Sequence, residues 1–195
     1  MWRGNKFKML SRRDIIIYCN KTNGSQSPVG TEDQKPIEKQ KIMANTFTQI
    51  YLQFVFAVQD RMSLIQPDWK DELYKYITGI VQNNKHKLIA INGTSNHLHV
   101  FVGYKPHQLI PELLQDIKGS SSGWINNKNI VNGKFSWQEG YGAFSYSHSH
   151  IDNVVKYILN QEEHHKKRTF REEYLELLKK FDVAYDERYI LKDIE

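Results

Sequence analysis

The hydrophobic rhythm of the chain changes repeatedly between residues 47 and 182. "FTQIYLQFVFAV" is dense in aromatic and β-branched residues and predicts a buried strand. Pro67 and Asp68 open "DWKDELYKYITGIVQNN", where Trp69, Leu73, Tyr76, Ile77 and Ile80 recur at helical spacing. "KLIAIN" and "HLHVFVGY" predict two strands, with "GTSN" between them as a hairpin turn. "HQLIPELLQDIKGSSSGWINN" predicts a second helix, with Pro111 in its first turn and the Gly/Ser run at its end. "KFSWQEGYGAFSYS" predicts a fourth strand, bent at Gly140 or Gly142. "SHIDNVVKYILNQEEHHKK" predicts a third helix, capped by Ser147 or Ser149. "TFREEYLELLKKFD" predicts a fourth, with Thr169 and Glu172 as a capping box. The order β-α-β-β-α-β, then two helices, predicts an α+β fold. Its form is ferredoxin-like or RRM-like: an antiparallel sheet with helices on one face and extra C-terminal helices. Such a fold hosts many functions and specifies none.

Residues 1–43 break this rhythm. "NKTNGSQSPVGTEDQKPIEKQK" is polar and carries Gly and Pro without an apolar period. It reads as a disordered or non-native leader, with Met43 as the native start. The structured domain is expected over residues 44–182, with 183–195 as a C-terminal tail. The net charge of +5 belongs to the leader: residues 1–42 hold nine Lys/Arg against four Asp/Glu, and the remainder is balanced. Overall basicity therefore does not mark the domain as a nucleic-acid binder. No run of about 18 apolar residues is present, which excludes a transmembrane helix. One cysteine, Cys19, excludes an internal disulfide framework and a cysteine-rich zinc site. A reduced, cytoplasmic protein is expected.

The candidate chemistry begins in the strand "HLHVFVGY". Residues two apart on a strand share a face, so His97 and His99 project together while Leu98, Val100 and Val102 turn to the core. Two neutral imidazoles so placed form a bidentate site for a divalent metal, on what is expected to be the open face of the sheet. In the third helix, Tyr157 and Gln161 lie four apart and share a helical face beside a buried stripe of Val154, Val155, Ile158 and Leu159. Gln161 offers a neutral oxygen to a metal, and Tyr157 offers a phenol. Surface histidines and a packing tyrosine would read the same way on spacing alone.

"NHLHVFV" followed some sixty residues later by "YILNQEEHH" resembles the single-tyrosine HUH transposases of insertion sequences, which act on single-stranded DNA. The REP-associated tyrosine transposases are relatives, and "WQEGYGAFSYS" resembles one branch. The likeness spans roughly residues 44–182. It implies that His97, His99 and Gln161 hold Mg²⁺ or Mn²⁺. It implies that Tyr157 attacks a DNA phosphodiester to form a 5′-phosphotyrosine and a free 3′-hydroxyl. It further implies hairpin DNA as partner, a homodimer, and association with the bacterial nucleoid when acting on DNA.

Contacts to DNA are less sharply marked. Trp137, Tyr141 and Phe144 are candidate stacking platforms or, equally, core residues. Lys118, Lys134, Lys166, Lys167, Arg168 and Arg171 are candidate phosphate contacts. Tyr141, Tyr146 and Tyr174 are rival phenols, with Tyr146 the first alternative. The second H-x-H, His148 and His150, reads as a helix-entry turn. His164 and His165 read as a solvated helix end, with His165 the one that could approach an ion, and His86 and His107 as loop histidines. The competing classes are a non-catalytic ferredoxin-like single-stranded nucleic-acid-binding protein, a degenerate transposase, and a metal-independent phosphodiesterase. The last needs a further alternating histidine where Phe101 stands, or a doubled H-x-T/S.

Overall fold

A computed structural model describes residues 47–62, 64–186 and 190. The expected leader, residues 1–43, and most of the tail lie outside them. The described chain forms β1 (Ile50–Ala57), α1 (Pro67–Asn83), β2 (Lys87–Gly93), β3 (His97–Tyr104), α2 (Ile110–Asn127) and β4 (Gly142–Tyr146). Three further helices follow: α3 (Ile151–Leu159), α4 (Gln161–His165) and α5 (Phe170–Lys180). The strands make one antiparallel sheet in the order β2-β3-β1-β4. The βαββαβ expectation holds.

Alternation along the central strands assigns the two faces. Leu52, Phe54, Phe56, Leu98, Val100 and Val102 point to one side, where Leu73 and Ile77 of α1 and Leu113, Leu114 and Ile117 of α2 bury them. Fully burying each such side chain contributes about 1.5–3 kcal/mol, so this layer dominates the stability. α1 turns Tyr74 and Val81 inward, while Tyr76 stays exposed and stacks on Trp124.

The opposite face was expected to be open, and it is not. Val55, Ala57 and Phe144 pack under Phe170, Leu177 and Leu178 of α5. Phe101, Ile89 and Ala90 pack under Val154 and Ile158 of α3. Helices therefore cover both faces, and the C-terminal helices are a structural layer. His97 pairs with Ala57 and His99 with Val55, so both histidines lie on this second face and are fully buried.

Two element boundaries differ from expectation. α2 runs through "GSSSG" to Asn127 as expected; Ser121 donates to the Ile117 carbonyl at 2.6 Å and accepts from the Trp137 indole at 2.8 Å, and nothing crowds Gly119 or Gly123. β4 is only five residues long, since Gly140 takes a φ of +77° and Trp137 makes just an isolated bridge to Val58. The expected third helix breaks at Asn160 into α3 and α4. The capping box of Thr169 and Glu172 on α5 is as expected.

The β2–β3 turn places the histidine pair. Asn96 and Ser95 carbonyls accept from the Val58 and Ile65 amides at 2.8 and 2.9 Å, tying the turn to the connection after β1. Gly93 is required by close approach: a Cβ there would stand 2.1 Å from the His97 carbonyl oxygen and 2.9 Å from Leu98 Cα. Backbone atoms cannot yield as a flexible side chain can. Gly93→Ala is expected to lower unfolding free energy by more than about 2 kcal/mol, measured as the urea midpoint.

Candidate functional site

His97 and His99 of β3, Gln161 at the start of α4 and Glu173 of α5 are all buried and converge on one point. Ligand atoms of His97, His99 and Glu173 lie within 4.8 Å of one another. Glu173 Oε2 lies 3.6 Å from His97 Nε2, 3.4 Å from His99 Nε2 and 3.0 Å from His165 Nε2. Its other oxygen, Oε1, accepts from Gln161 Nε2 at 2.8 Å and from the Tyr157 hydroxyl. One carboxylate thus joins the four residues singled out in the sequence, yet nothing in the sequence marked it. Glu173 sits in an acidic first turn, where a glutamate reads as an ordinary helix-dipole partner.

Each member is held from behind. His97 Nδ1 donates to Asn96 Oδ1 at 2.8 Å, because a carbonyl oxygen can only accept, and its ring stacks on Phe170 at 4.0 Å. Its Nε2 lone pair therefore faces the cluster. His99 Nδ1 meets Gln53 Nε2 at 2.8 Å, and Gln53 Oε1 accepts from the Tyr146 hydroxyl at 2.7 Å. Tyr146, the first rival phenol, is thereby committed to orienting this pair.

The helix break also has a cause. Asn92 of β2 donates its amide to the Ile158 and Leu159 carbonyls, both at 3.0 Å. Those carbonyls turn to the sheet, α3 ends, and Gln161 starts a new turn aimed at the histidines. Tyr157 ends up against both the His99 ring, 5.7 Å between centroids, and Glu173.

The electrostatics follow from burial. Burial and the neighbouring His99 hold His97 well below the usual imidazole value, so it is neutral. Burial pushes Glu173 up, but the imidazoles of His165 and His99 outweigh it and hold the carboxyl well below the usual range. Burial, then the adjacent Glu173 carboxylate, raises the Tyr157 phenol far above its ordinary value. An imidazole pair beside a buried carboxylate is a donor set for a divalent ion. His99 Nε2 is a buried polar atom with no hydrogen-bond partner; Gln53 Nε2 donates to His99 Nδ1, so an ion at Nε2 requires the Gln53 amide reversed.

Other candidates fall elsewhere. Trp137 is buried against Phe56 and Phe135 in edge-on contacts and Phe144 is buried under α5, so neither presents a stacking face. Lys118 donates to the Gln138 and Gly140 carbonyls at 2.7 and 2.9 Å, which makes it a brace for the approach to β4 rather than a phosphate contact. Tyr141 packs half-buried against the main core. Lys134 and Lys167 are exposed; Lys166 pairs with Glu163 and Arg168 with Glu176. His148 and His150 lie in a short 3-10 turn, with His150 Nδ1 on Ser147 Oγ at 2.7 Å, as expected for a helix entry. His86 lies in the loop between α1 and β2, as expected, but is buried, stacked between Tyr104 and His107, and accepts from the Lys105 amide. His165, expected in solvent, belongs to the cluster.

Beside the cluster, a cleft of about 380 Å³ is lined by Pro67, Lys70, Thr94, Ser95, His165 and Lys166. Among the described residues no helix is long and apolar enough to cross a membrane.

A family model described as "Transposase IS200 like" matches residues 46–161. No curated protein matches. Similar solved structures include the following two. A Deinococcus radiodurans R1 chain assigned as a transposase is 20% identical with a TM-score of 0.49, covering 60% of this chain and 93% of that one. A REP-associated tyrosine transposase bound to a REP hairpin is 14% identical with a TM-score of 0.48, covering 62% and 72%.

Two outcomes test the geometry. Asn92→Ala leaves two helix-end carbonyls without their donor and is expected to destabilise the fold by about 1–3 kcal/mol, measured by thermal unfolding. Burial pushes the Tyr146 phenol up to about 12. The folded chain then keeps a proton that the unfolded chain loses near pH 10. That contribution to stability is intact below about pH 10 and lost as pH rises to about 12. Tyr146→Phe should make the alkaline decline of the urea midpoint shallower.

Proposed function

Since the chain belongs to the IS200-like transposase family, we propose that it cleaves and rejoins single-stranded DNA with Tyr157 as nucleophile and a divalent ion at His97, His99 and Gln161. The observation that carries this reading is the convergence of Tyr157, Gln161 and the histidine pair on one buried carboxylate, although they come from three separate elements. Hairpin DNA is the proposed substrate and a homodimer the proposed working form. Residues 44–182 are the proposed catalytic unit.

Tyr157 Oη attacks the phosphorus of a phosphodiester, and the bond to the 3′-oxygen breaks. The phosphoryl group with its 5′ strand passes to the tyrosine, and the other strand leaves with a 3′-hydroxyl. The ester conserves the bond energy, so the reverse attack by another 3′-hydroxyl rejoins strands without an external source. Tyr157 already donates to Glu173 Oε1, which places the phenol proton on a path to an ionised carboxylate. Gln161, donating to the same oxygen, holds that carboxylate in position. His97 and His99, oriented from behind, would hold Mg²⁺ or Mn²⁺, which would supply positive charge to polarise the phosphate and to offset Glu173. The cleft bordered by Lys70, Thr94, Glu162, His165 and Lys166 is the proposed approach for a strand.

Single-stranded oligonucleotides from the DNA flanking the gene, mixed with the protein and Mg²⁺ or Mn²⁺, test this on a denaturing gel. A covalent protein–DNA band is expected, lost with Tyr157→Phe and with chelator. A band that survives Tyr157→Phe moves the role to another tyrosine. Binding of both strands without any band would replace this reading with a non-catalytic DNA-binding protein.

A further inference from the structure

The cleft beside the histidine cluster holds a cation of the wrong sign for its helix. Lys70 is the fourth residue of α1, beside the positive end of that helix, where an acid is the favoured occupant. Its side chain nevertheless lines the cleft and is only 18% exposed, while its partner, Glu162 of α4, is 65% exposed. The pair joins residues 92 positions apart and ties the α1 wall of the cleft to the α4 wall. The Tyr74 ring, with its centroid 6.0 Å from the Lys70 ammonium, flanks the lysine further. The cation is therefore the fixed member of the pair and the carboxylate the exchangeable one. An ion pair with one partner this exposed adds little to stability.

Lys166, the other lysine that lines the cleft, is neutralised in the same way. Its ammonium lies 2.6 Å from Glu163 Oε1. Consecutive acids of α4 thus cover both cleft lysines. The cleft continues to Thr94 and Ser95 of the β2–β3 turn, and Thr94 Oγ1 lies 2.9 Å from His97 Nδ1. Thr94 therefore belongs both to the cleft wall and to the support of the histidine pair.

We propose that Lys70 binds a backbone phosphate of the single strand that enters this cleft, and that Glu162 holds the place of that phosphate in the free protein. A phosphodiester, like a carboxylate, carries one negative charge on two accepting oxygens. It replaces Glu162 without leaving the largely buried ammonium unpaired, and Glu162, already two-thirds exposed, turns to water. A strand arrives with neighbouring phosphates held elsewhere, which raises the effective concentration of the one at Lys70. A free anion has no such advantage over the tethered carboxylate. Glu162 thereby reserves the lysine for a polymer.

This assignment rests on the cleft being the approach for a strand, and its test needs no cleavage. Binding of a fluorescein-labelled single-stranded oligonucleotide from the flanking DNA to the full chain is followed by anisotropy, in chelator, over a series of KCl concentrations. Lys70→Gln should weaken binding about fivefold or more and make the slope of log affinity against log salt shallower by about 0.7, the share of one phosphate contact on a single strand. Glu162→Gln should tighten binding about threefold or more, and most of that gain should vanish when Lys70→Gln is already present. Unchanged affinity and slope in Lys70→Gln, no gain in Glu162→Gln, or an equal gain with and without Lys70 would overturn this inference. So would release of the oligonucleotide by inorganic phosphate at matched ionic strength. Each of these leaves the Tyr157 reading, with its covalent band, intact. Failure of the unmodified chain to bind the oligonucleotide, in chelator and in Mg²⁺ alike, would overturn both.

Discussion

The buried carboxylate of Glu173 is the interaction on which the second face of the sheet depends. An ionised carboxylate removed from water without partners costs several kcal/mol or more. Here it accepts from Tyr157 and Gln161, and it is surrounded by the imidazoles of His97, His99 and His165. Those partners come from β3, α3 and α4, and Glu173 itself comes from α5. Docking α5 therefore has two parts. Phe170, Leu177 and Leu178 supply apolar burial against Val55, Ala57 and Phe144. Glu173 supplies a geometric requirement, because only one placement of α5 gives its two oxygens those neighbours.

The supporting layer shows how the site is preorganised. Functional side chains hold their geometry when their own rotamers are fixed by packing and further hydrogen bonds. Asn96 and Phe170 hold His97, Gln53 and Tyr146 hold His99, and the Arg168 carbonyl holds His165. Asn92 ends α3 and so frees Gln161 from the helix that carries Tyr157. Tyr157 and Gln161, the proposed nucleophile and amide ligand, are thus set by different anchors, one on α3 and one on α4.

The sheet, the histidine pair and the first two helices were legible because their signals are local. Alternation in "HLHVFVGY" defines which face each residue takes, and helical spacing defines α1. What escaped was decided by tertiary partners. The break at Asn160 comes from an asparagine 68 positions earlier in the chain. Trp137 reads as a DNA platform until Ser121 and Phe56 bury it. Glu173 lies in a first turn that any helix would fill with acid, and His165 in a charged run that reads as solvent-facing. Each of these residues has an ordinary local explanation, so no periodicity or motif could set it apart.

The same carboxylate that organises the site also restrains its chemistry. Tyr157 is half-buried, donates to Glu173 and holds its proton more tightly than a phenol in water. Positive charge at the histidine cluster opposes that effect directly, because it acts on the carboxylate to which the phenol is bonded. Coulomb interactions at such separations are far stronger in a buried site than in water. Glu173 has one oxygen facing the imidazoles and the other facing the phenol, so an ion held as proposed would act on the Tyr157 hydroxyl through this carboxylate. A tyrosine placed next to the histidines without this bridge would respond to the ion only through space. With it, on the proposed reading, occupancy of the centre and release of the phenol proton would be linked events.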